Sequence, residues 1–333
     1  MKRRIKGFSE LSTGMSGYVL LIGAIIVNFA LQGPSFFSSA SLSSLLSSNL
    51  PLIIAALAQM VIMLSGGIDI SLGNNMAMVN AVAIVLANQF MLPVGVSWAA
   101  ALGVGAAIGA MNGLIIAYLR IPPLLVTFAT SILIKGLSLM VLPKPGGTVP
   151  EEIYKTYGGT LLGVPTAIWL IIIAIALLML MSRFRISKYL SAIGCSEKNA
   201  FASGINVEKI KVLAYTVGGL IAGCAGLCLT ALTASGDVRL GESFGLTSIA
   251  AVIIGGTLQT GKWGKYVGGA VSGALFLAIV NNIVFFAFSI ILMNNPSIHI
   301  STYYQQLLSN FIIIFGLASA VLTNKKNYRI DYR

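Results

Sequence analysis

Charged residues are scarce in this chain, and their scarcity excludes a water-soluble enzyme. Asp, Glu, Lys and Arg together make up 9% of the 333 residues, against about a quarter in a soluble domain. The single histidine, His299, has no second histidine or acidic cluster beside it, so we expect a surface residue and no metal site. The three cysteines form no disulfide pattern, and Cys224 and Cys228 lie in an apolar run where we expect them to pack between helices.

Long apolar runs dominate the sequence. Hydrophobic residues make up 57% of the chain, and its mean hydropathy is +0.92. A membrane-spanning helix needs about 20 apolar residues, and about ten such runs are present. They lie near 15–31, 45–64, 70–88, 96–118, 123–142, 164–182, 212–233, 244–258, 266–291 and 304–322. The third and eighth are short or bordered by glycine pairs, as in half-depth helices. We predict an all-α polytopic membrane protein with about ten transmembrane helices, some short or broken.

The positions of Lys and Arg predict the orientation. With a cytoplasmic N-terminus, 17 of the 21 basic residues fall in segments on the cytoplasmic side and three on the other, while Lys135 lies within a span. The net charge of +12 therefore reflects topology. The sequence has no basic pattern typical of a nucleic-acid-binding groove, so we do not expect nucleic-acid binding. We predict cytoplasmic termini (1–14 and 323–333) flanking a transmembrane domain (15–322). That domain includes a substantial outer loop at 143–163 and a polar cytoplasmic loop at 183–211.

Glycines spaced four apart recur in three predicted spans. Small residues allow helices to approach closely in lipid, so we expect these positions to form a tightly packed core. They are Gly105, Gly109 and Gly113, then Gly219 and Gly223, then Gly269 and Gly273.

Polar residues at membrane depth are costly and are therefore functional candidates. They are Gln59, Asp69, Asn75, Asn80, Asn112, Lys135, Asn281 and Asn282. Asp69 stands at a helix start, where it either caps free N–H groups or takes part in gating or in a substrate path. Lys135 either reaches the interface or an ion-pair partner with its long stem, or lines a polar translocation path. Asn281 and Asn282 either join helices or hydrogen-bond a polar solute.

The sequence carries no convincing catalytic motif. The nearest is Gly256 to Lys262, which matches the start of a phosphate-binding loop. The next residue is Trp263, so the hydroxyl that would hold magnesium is absent. No apolar strand that ends in an acidic, magnesium-binding residue follows. We therefore expect neither catalysis nor a nucleotide site in this chain.

The polar segment 183–211 is unusual between two spans. Gly194 and Gly204 break it, Ser196 is suited to cap a short helix that begins at Glu197, and Gly204 is suited to end that helix. Such a helix on the membrane surface either docks a partner protein or belongs to an ordinary solvated loop.

Several segments together resemble the ribose-type permeases of ATP-binding-cassette (ABC) importers. They are Gly66–Gly73, Ala192–Gly194 leading to Ser203–Val207, Ile249–Thr257, Asn281–Asn282 and Ser301–Gln305. The resemblance runs in order along nearly the whole chain. Departures are Cys195–Ser196 where the family usually has Gly-Asn, Lys262 where it has Gly, and Lys135 where it has Arg.

The resemblance implies a multi-pass permease subunit of the bacterial cytoplasmic (inner) membrane that imports a monosaccharide or a related polar solute. It implies a second permease copy or a paralogue, an extracytoplasmic solute-binding protein, and cytoplasmic ATPase subunits that bind ATP and magnesium, leaving no cofactor in this chain. The residues that match the ATPase-coupling segment are Gly194, Ser196, Glu197, Ala200 and Gly204.

Our hypothesis for the mechanism is alternating access. Closure of the ATPases would move the short cytoplasmic helices and rock two permease copies against each other. The solute would pass weak polar groups at Asp69, Asn75, Lys135, Asn281 and Asn282. The alternatives are an ABC permease for nucleosides or branched-chain amino acids and an ion-coupled secondary transporter, for which Asp69 is the sole acidic candidate in the spans.

Overall fold

The computed structural model describes residues 16–256, 263–294, 301, 303–305 and 307–314. His299, Gly261 and Lys262 lie outside these residues, as does much of the last predicted span. The helices are α1 (Ser16–Gln32), α2 (Ser39–Met63), α3 (Leu72–Asn88), α4 (Val94–Tyr118), α5 (Pro123–Val141), α6 (Glu151–Gly158), α7 (Thr166–Met181), α8 (Arg185–Cys195), α9 (Glu197–Ala202), α10 (Val207–Thr233), α11 (Phe244–Ile254) and α12 (Trp263–Asn294). Short 3-10 turns cover Gly33–Phe37 and Val238–Gly241, and residues 303–305 and 307–314 are helical.

The protein is an all-α membrane protein with several spans. Six of the described helical segments are long and apolar enough to cross a bilayer, and the pair α7 and α8, bent by 82°, makes a seventh if it counts as one span. Helix α3 has 17 residues and α11 has 11. These two correspond to the third and eighth runs, which the flanking glycine pairs mark as short.

The described residues divide into two compact units. One unit is built from residues 46–249, and the other from the described residues before 46 and after 249. In the larger unit α10 packs along α4 and α3, and α3 also packs against α5. The buried positions are filled by small and aliphatic side chains such as Ala55, Ala222 and Ala225, so the backbones come close together.

The predicted outer loop 143–163 contains regular structure. Helix α6 follows Pro150 and begins with Glu151 and Glu152, where negative charge is favourable. Strand β1 (Thr160–Leu161) pairs with β2 (Val164–Pro165) around a turn with two left-handed residues. Tyr157 of α6 is buried and donates a hydrogen bond of 2.8 Å to the Ser47 carbonyl, and burial raises the pKa of its hydroxyl.

The predicted polar loop 183–211 is mostly helical, and one expectation about it is wrong. Gly194 does not break the chain but lies inside α8. A Cβ at this position would collide with the Leu64 carbonyl oxygen, so the glycine lets α8 approach the backbone between α2 and α3. The break falls instead at Ser196, whose backbone is extended.

Candidate functional site

The turn between α2 and α3 carries the most buried acidic group of the larger unit. Asp69 is 2% exposed. Its Oδ1 accepts hydrogen bonds from the Ser71 N–H at 2.8 Å and from the Ser71 hydroxyl at 2.6 Å. Asn112 of α4 donates to the same hydroxyl at 2.8 Å. Because Ser71 is the residue before α3, this carboxylate organises the start of that helix.

Side chains from three other helices hold the backbone of this turn. The Tyr215 hydroxyl of α10 donates to the Ile68 carbonyl at 3.3 Å. Thr127 Oγ1 of α5 lies between the Ile68 carbonyl and the Ile70 N–H, at 3.3 and 3.2 Å. The side-chain amide of Gln59 pairs with the backbone of Asp69: its nitrogen donates to the Asp69 carbonyl at 3.1 Å, and its oxygen accepts from the Asp69 N–H at 3.2 Å. The start of α3 is therefore fixed at a defined depth in the bundle.

The asparagines of α3 join helices in the closed core. Asn75 is 1% exposed, and its amide donates to the carbonyls of Gly105 and Gly219 at 3.1 and 3.4 Å. Asn80 donates to Thr230 Oγ1 at 2.7 Å and accepts from the Asp237 N–H at 2.8 Å. In this conformation Asn75 lies against packed backbone and not beside an opening. Its suggested part in a solute path stays a proposal.

The glycines of α4 and α10 face each other. A Cβ on Gly105 would lie 3.0 Å from the Gly219 oxygen, and one on Gly113 would lie 2.8 Å from Val212 Cα. A Cβ on Gly109 would collide with the Tyr215 carbonyl oxygen. Gly223 is the looser member, since its nearest neighbour is the flexible side chain of Leu102. These positions form what we call the glycine seam (Gly105, Gly109, Gly113 and Gly219).

A second set of close contacts occurs in the smaller unit. A Cβ on Gly255 would collide with the Gly269 carbonyl, and one on Gly273 would collide with the Ala251 carbonyl. The backbone at the end of α11 therefore lies directly on α12.

The asparagine pair of α12 is engaged with neighbouring side chains. Asn282 Oδ1 accepts from Asn28 at 3.0 Å and from Gln32 at 2.6 Å, both on α1. Asn281 is exposed, and its side-chain oxygen accepts from the Ser309 hydroxyl. Asn282 thus joins α12 to α1, while Asn281 lies at the surface.

Lys135 has a partner that the sequence reasoning missed. Its Nζ lies 2.7 and 2.8 Å from the two carboxylate oxygens of Glu242. Glu242 lies 107 residues away in the segment before α11, and no local spacing signals the pair. A charged side chain that faces lipid at the centre of a span costs about 2.5–3.5 kcal/mol. Because both side chains are exposed, the environment that solvates this pair has to be identified.

The segment from α8 to the start of α10 has an ordered helix cap, a small apolar cluster and a glycine turn. Ser196 Oγ accepts a hydrogen bond from the Asn199 N–H and caps α9. Ala200 packs in a small cluster with Ile193 and Val207. Gly204 follows α9 with φ +80°, a conformation that favours glycine.

A cavity of about 610 Å³ lies beside α9. The residues that line it include Arg120, Pro122, Glu197, Phe201 and Lys211. Glu197 and Lys211 form an ion pair of 2.7 Å, and Phe201 is exposed. The cavity thus has both apolar and charged walls, and it lies at the end of the bundle where α4 ends and α5 and α10 begin.

Among the residues that the structure describes, no three His, Cys, Asp or Glu side chains come together as a metal site. Cys195, Cys224 and Cys228 are free thiols. The arrangement is a packed helical bundle with the short helix α3 starting inside it, and a helical segment, α8 and α9, beside a cavity. These features are those of a multi-pass membrane protein.

Comparison with known protein families agrees with this class. A family model described as the permease component of branched-chain amino acid transport systems matches residues 41–317. Together with a ribose import permease that is 32% identical over 88% of this chain, the match shows that the chain belongs to the ribose-type permease family of ABC importers. It is therefore a transport subunit and not an enzyme.

Named relatives extend over nearly the full length. The ribose import permease protein of Escherichia coli (strain K12) is 32% identical over 299 residues, 88% of each chain. The D-allose transport system permease protein of the same organism is 25% identical over 93% of this chain and 92% of the relative. The autoinducer 2 import system permease protein of Enterobacter sp. (strain 638) is 29% identical over 81% of this chain and 78% of the relative.

Proposed function

We propose that this permease carries a monosaccharide, ribose-like in size and polarity, or a related small polar solute such as a furanosyl signal. The names of the relatives, which are ribose, allose and autoinducer 2 permeases, favour this solute class over nucleosides and branched-chain amino acids. An ion-coupled carrier is disfavoured because Asp69 already accepts two hydrogen bonds at the start of α3.

The proposed topology has ten spans with both termini in the bacterial cytoplasm. Two observations support it. The segments around Gly146 and Gly236, both expected outside, exchange backbone hydrogen bonds of 3.0 and 2.9 Å. The turns expected inside also meet, because Gly194 of α8 lies on the backbone of Leu64.

The proposed partners are two cytoplasmic ATPases, a second permease copy or a paralogue, and an external solute-binding protein. ATP and magnesium would bind to the ATPases. The observation that carries this proposal is α9 itself, a capped helix beside a 610 Å³ cavity. We assign ATPase coupling to Gly194, Ser196, Glu197, Ala200 and Gly204.

Alternating access follows from these assignments. A push on α8 and α9 reaches the turn at Asp69 through Gly194, and the turn moves α3 with Asn75. Helices packed through the glycine seam can slide because no side chain interlocks them. Asp69 and Asn75 would then act in gating, and Lys135, Asn281 and Asn282 would border the path.

The test is the coupling of ATP hydrolysis to transport in the purified complex. Glu197→Ala or Gly204→Val should lower solute-stimulated ATPase activity and transport together, because they alter the α9 surface. Glu152→Gln is the matched control, since it removes an exposed carboxylate from α6 on the other end of the bundle. Full coupling in both α9 variants, with the ATPase still co-purifying, would rule out the docking assignment.

A further inference from the structure

The ion pair between Lys135 and Glu242 is exposed on the surface of the larger unit. The Lys135 side chain is 43% exposed and that of Glu242 is 57% exposed. Arg239 and Ser243 beside them are exposed as well. We call Lys135, Arg239, Glu242 and Ser243 the charged patch.

This patch lies near the middle of the bundle and not at its rim. The Glu242 carbonyl oxygen is 3.3 Å from the Cβ position of Gly73 in α3. Two residues further along α3, Asn75 bonds the carbonyl of Gly105, which lies near the centre of the 25-residue helix α4. Lys135 is one turn beyond Ser131, whose hydroxyl and carbonyl bond Asn74. Glu242 therefore lies near the depth of the centre of α4, and Lys135 lies twelve residues after the start of α5 and six before its end.

Exposed charges at this depth are not compatible with a lipid-facing surface. A lysine can extend its long stem toward the interface, but here the Nζ atom is held by both carboxylate oxygens. The Glu242 stem is too short to carry a carboxylate out of the hydrocarbon from mid-depth. Charged residues within membrane domains face protein or a water-filled cavity.

We propose that the charged patch borders a water-filled path and that the Lys135–Glu242 pair hydrogen-bonds the hydroxyl groups of the passing solute. Neighbouring hydroxyls of a polyol suit this pair, because one donates to the carboxylate while the other accepts from the ammonium group. The inference rests on the proposed function and deepens it by naming Glu242 as a solute-contacting residue. Lys135 and Glu242 already bond each other when no solute is bound, so the solute must compete with this ion pair and binds only weakly. Weak binding allows the solute to move on through the path.

The pair is also connected to the cytoplasmic helices. Glu242 is flanked by Gly241 and lies close before Gly245, both in backbone contact with the start of α3. The start of α3 follows the turn at Asp69, and the same turn touches α8 at Gly194. A displacement of α8 therefore reaches Glu242 through backbone contacts.

The first test measures whether water reaches the patch. In a background with Cys195→Ser, Cys224→Ala and Cys228→Ala, Glu242→Cys is treated in membrane vesicles with a cationic methanethiosulfonate reagent, with and without ATP. Leu133→Cys is the matched control, because Leu133 is exposed on α5 within the same turn as Lys135 but in an apolar surface. We expect labelling of Glu242→Cys in at least one state and none of Leu133→Cys. Failure of Glu242→Cys to react in either state, or equal labelling of both, overturns the proposal.

The second test separates this inference from the proposed function. Glu242→Gln should reduce transport about tenfold, the effect of losing one charge-assisted hydrogen bond, while the ATPase still co-purifies. Glu151→Gln is the control, since it breaks the exposed Glu151–Lys155 pair of α6 and should leave transport unchanged. If no ATPase co-purifies with the unmodified chain, the proposed function fails. If the ATPase co-purifies and Glu242→Gln transports at the full rate, only the role of the ion pair fails.

Discussion

Substitution of Gly109 by alanine tests the glycine seam directly. The new Cβ would lie 3.0 Å from Gly219 Cα and from the Tyr215 carbonyl carbon, and still closer to the Tyr215 oxygen. Carbon atoms in optimal contact are about 3.5–4.0 Å apart. Because both neighbours are backbone atoms, no side chain can turn away, and α4 and α10 must separate by about 0.5–1 Å.

A separation of that size weakens many contacts at once. A gap of about 0.5–1 Å forfeits a quarter to a half of each dispersion contact across it, and overpacking of this kind costs about 1–3 kcal/mol. At about 2–4 °C per kcal/mol, a loss of about 2 kcal/mol lowers the melting temperature by about 4–8 °C. Native tryptophan fluorescence of the detergent-solubilised chain during heating measures this shift.

Gly103→Ala is the matched control. Gly103 lies in the same helix, and a Cβ there meets no atom within 4 Å. Both variants gain the same helix propensity, so the difference between them reports packing alone. We expect Gly103→Ala to melt slightly above the unmodified chain, by the few degrees that about 1 kcal/mol of helix propensity supplies. Equal melting temperatures for the two alanine variants would refute the close approach of α4 and α10.

Three further predictions concern other contacts. Asn80→Leu leaves the Asp237 N–H without its acceptor and removes the bond that the Thr230 hydroxyl accepts, so thermal unfolding should show a loss of about 1–3 kcal/mol; an unchanged melting temperature would contradict those bonds. Gly204→Ala forces a Cβ into a left-handed backbone (φ +80°) with open space around it. Strain of about 1–2 kcal/mol should speed amide exchange in α9, whereas Gly136→Ala, also in open space, should not alter it. Burial raises the pKa of Tyr157, so the neutral hydroxyl stabilises the fold and this contribution is lost as pH rises above about 10. Melting curves of Tyr157→Phe should therefore fall less steeply at alkaline pH than those of the unmodified chain, and parallel curves would refute the buried hydroxyl.

Helix positions were the most predictable part of the fold, because the apolar runs and the residues that start or end helices agree there. Pro123 begins α5, and the predicted ends at Tyr118, Asn88 and Thr233 are the ends of α4, α3 and α10. The α9 cap at Ser196 was also predictable, since a serine before Glu197 satisfies free N–H groups locally. Such features depend on neighbouring residues only.

Features that depend on distant residues were not predictable. The partner of Lys135 is Glu242, and nothing in the local sequence joins them. Gly194 has the appearance of a helix breaker, but its role is set by Leu64, which approaches it from another segment. Helix α6 did carry local signals in Pro150, Glu151 and Glu152, although its short length conceals it among the predicted loops.

The backbone bonds between Gly146 and Gly236 have a mechanical consequence. They are joined by a bond from the Val149 N–H to the Ala234 carbonyl and by the contacts of Asn88 with Thr148. Together these hydrogen bonds connect the C-terminal ends of α3, α5 and α10 to each other. The opposite ends of α4, α5 and α10 border the 610 Å³ cavity. We therefore expect a displacement of α9 to move the nearby ends of α4, α5 and α10 more than the ends that these bonds hold together.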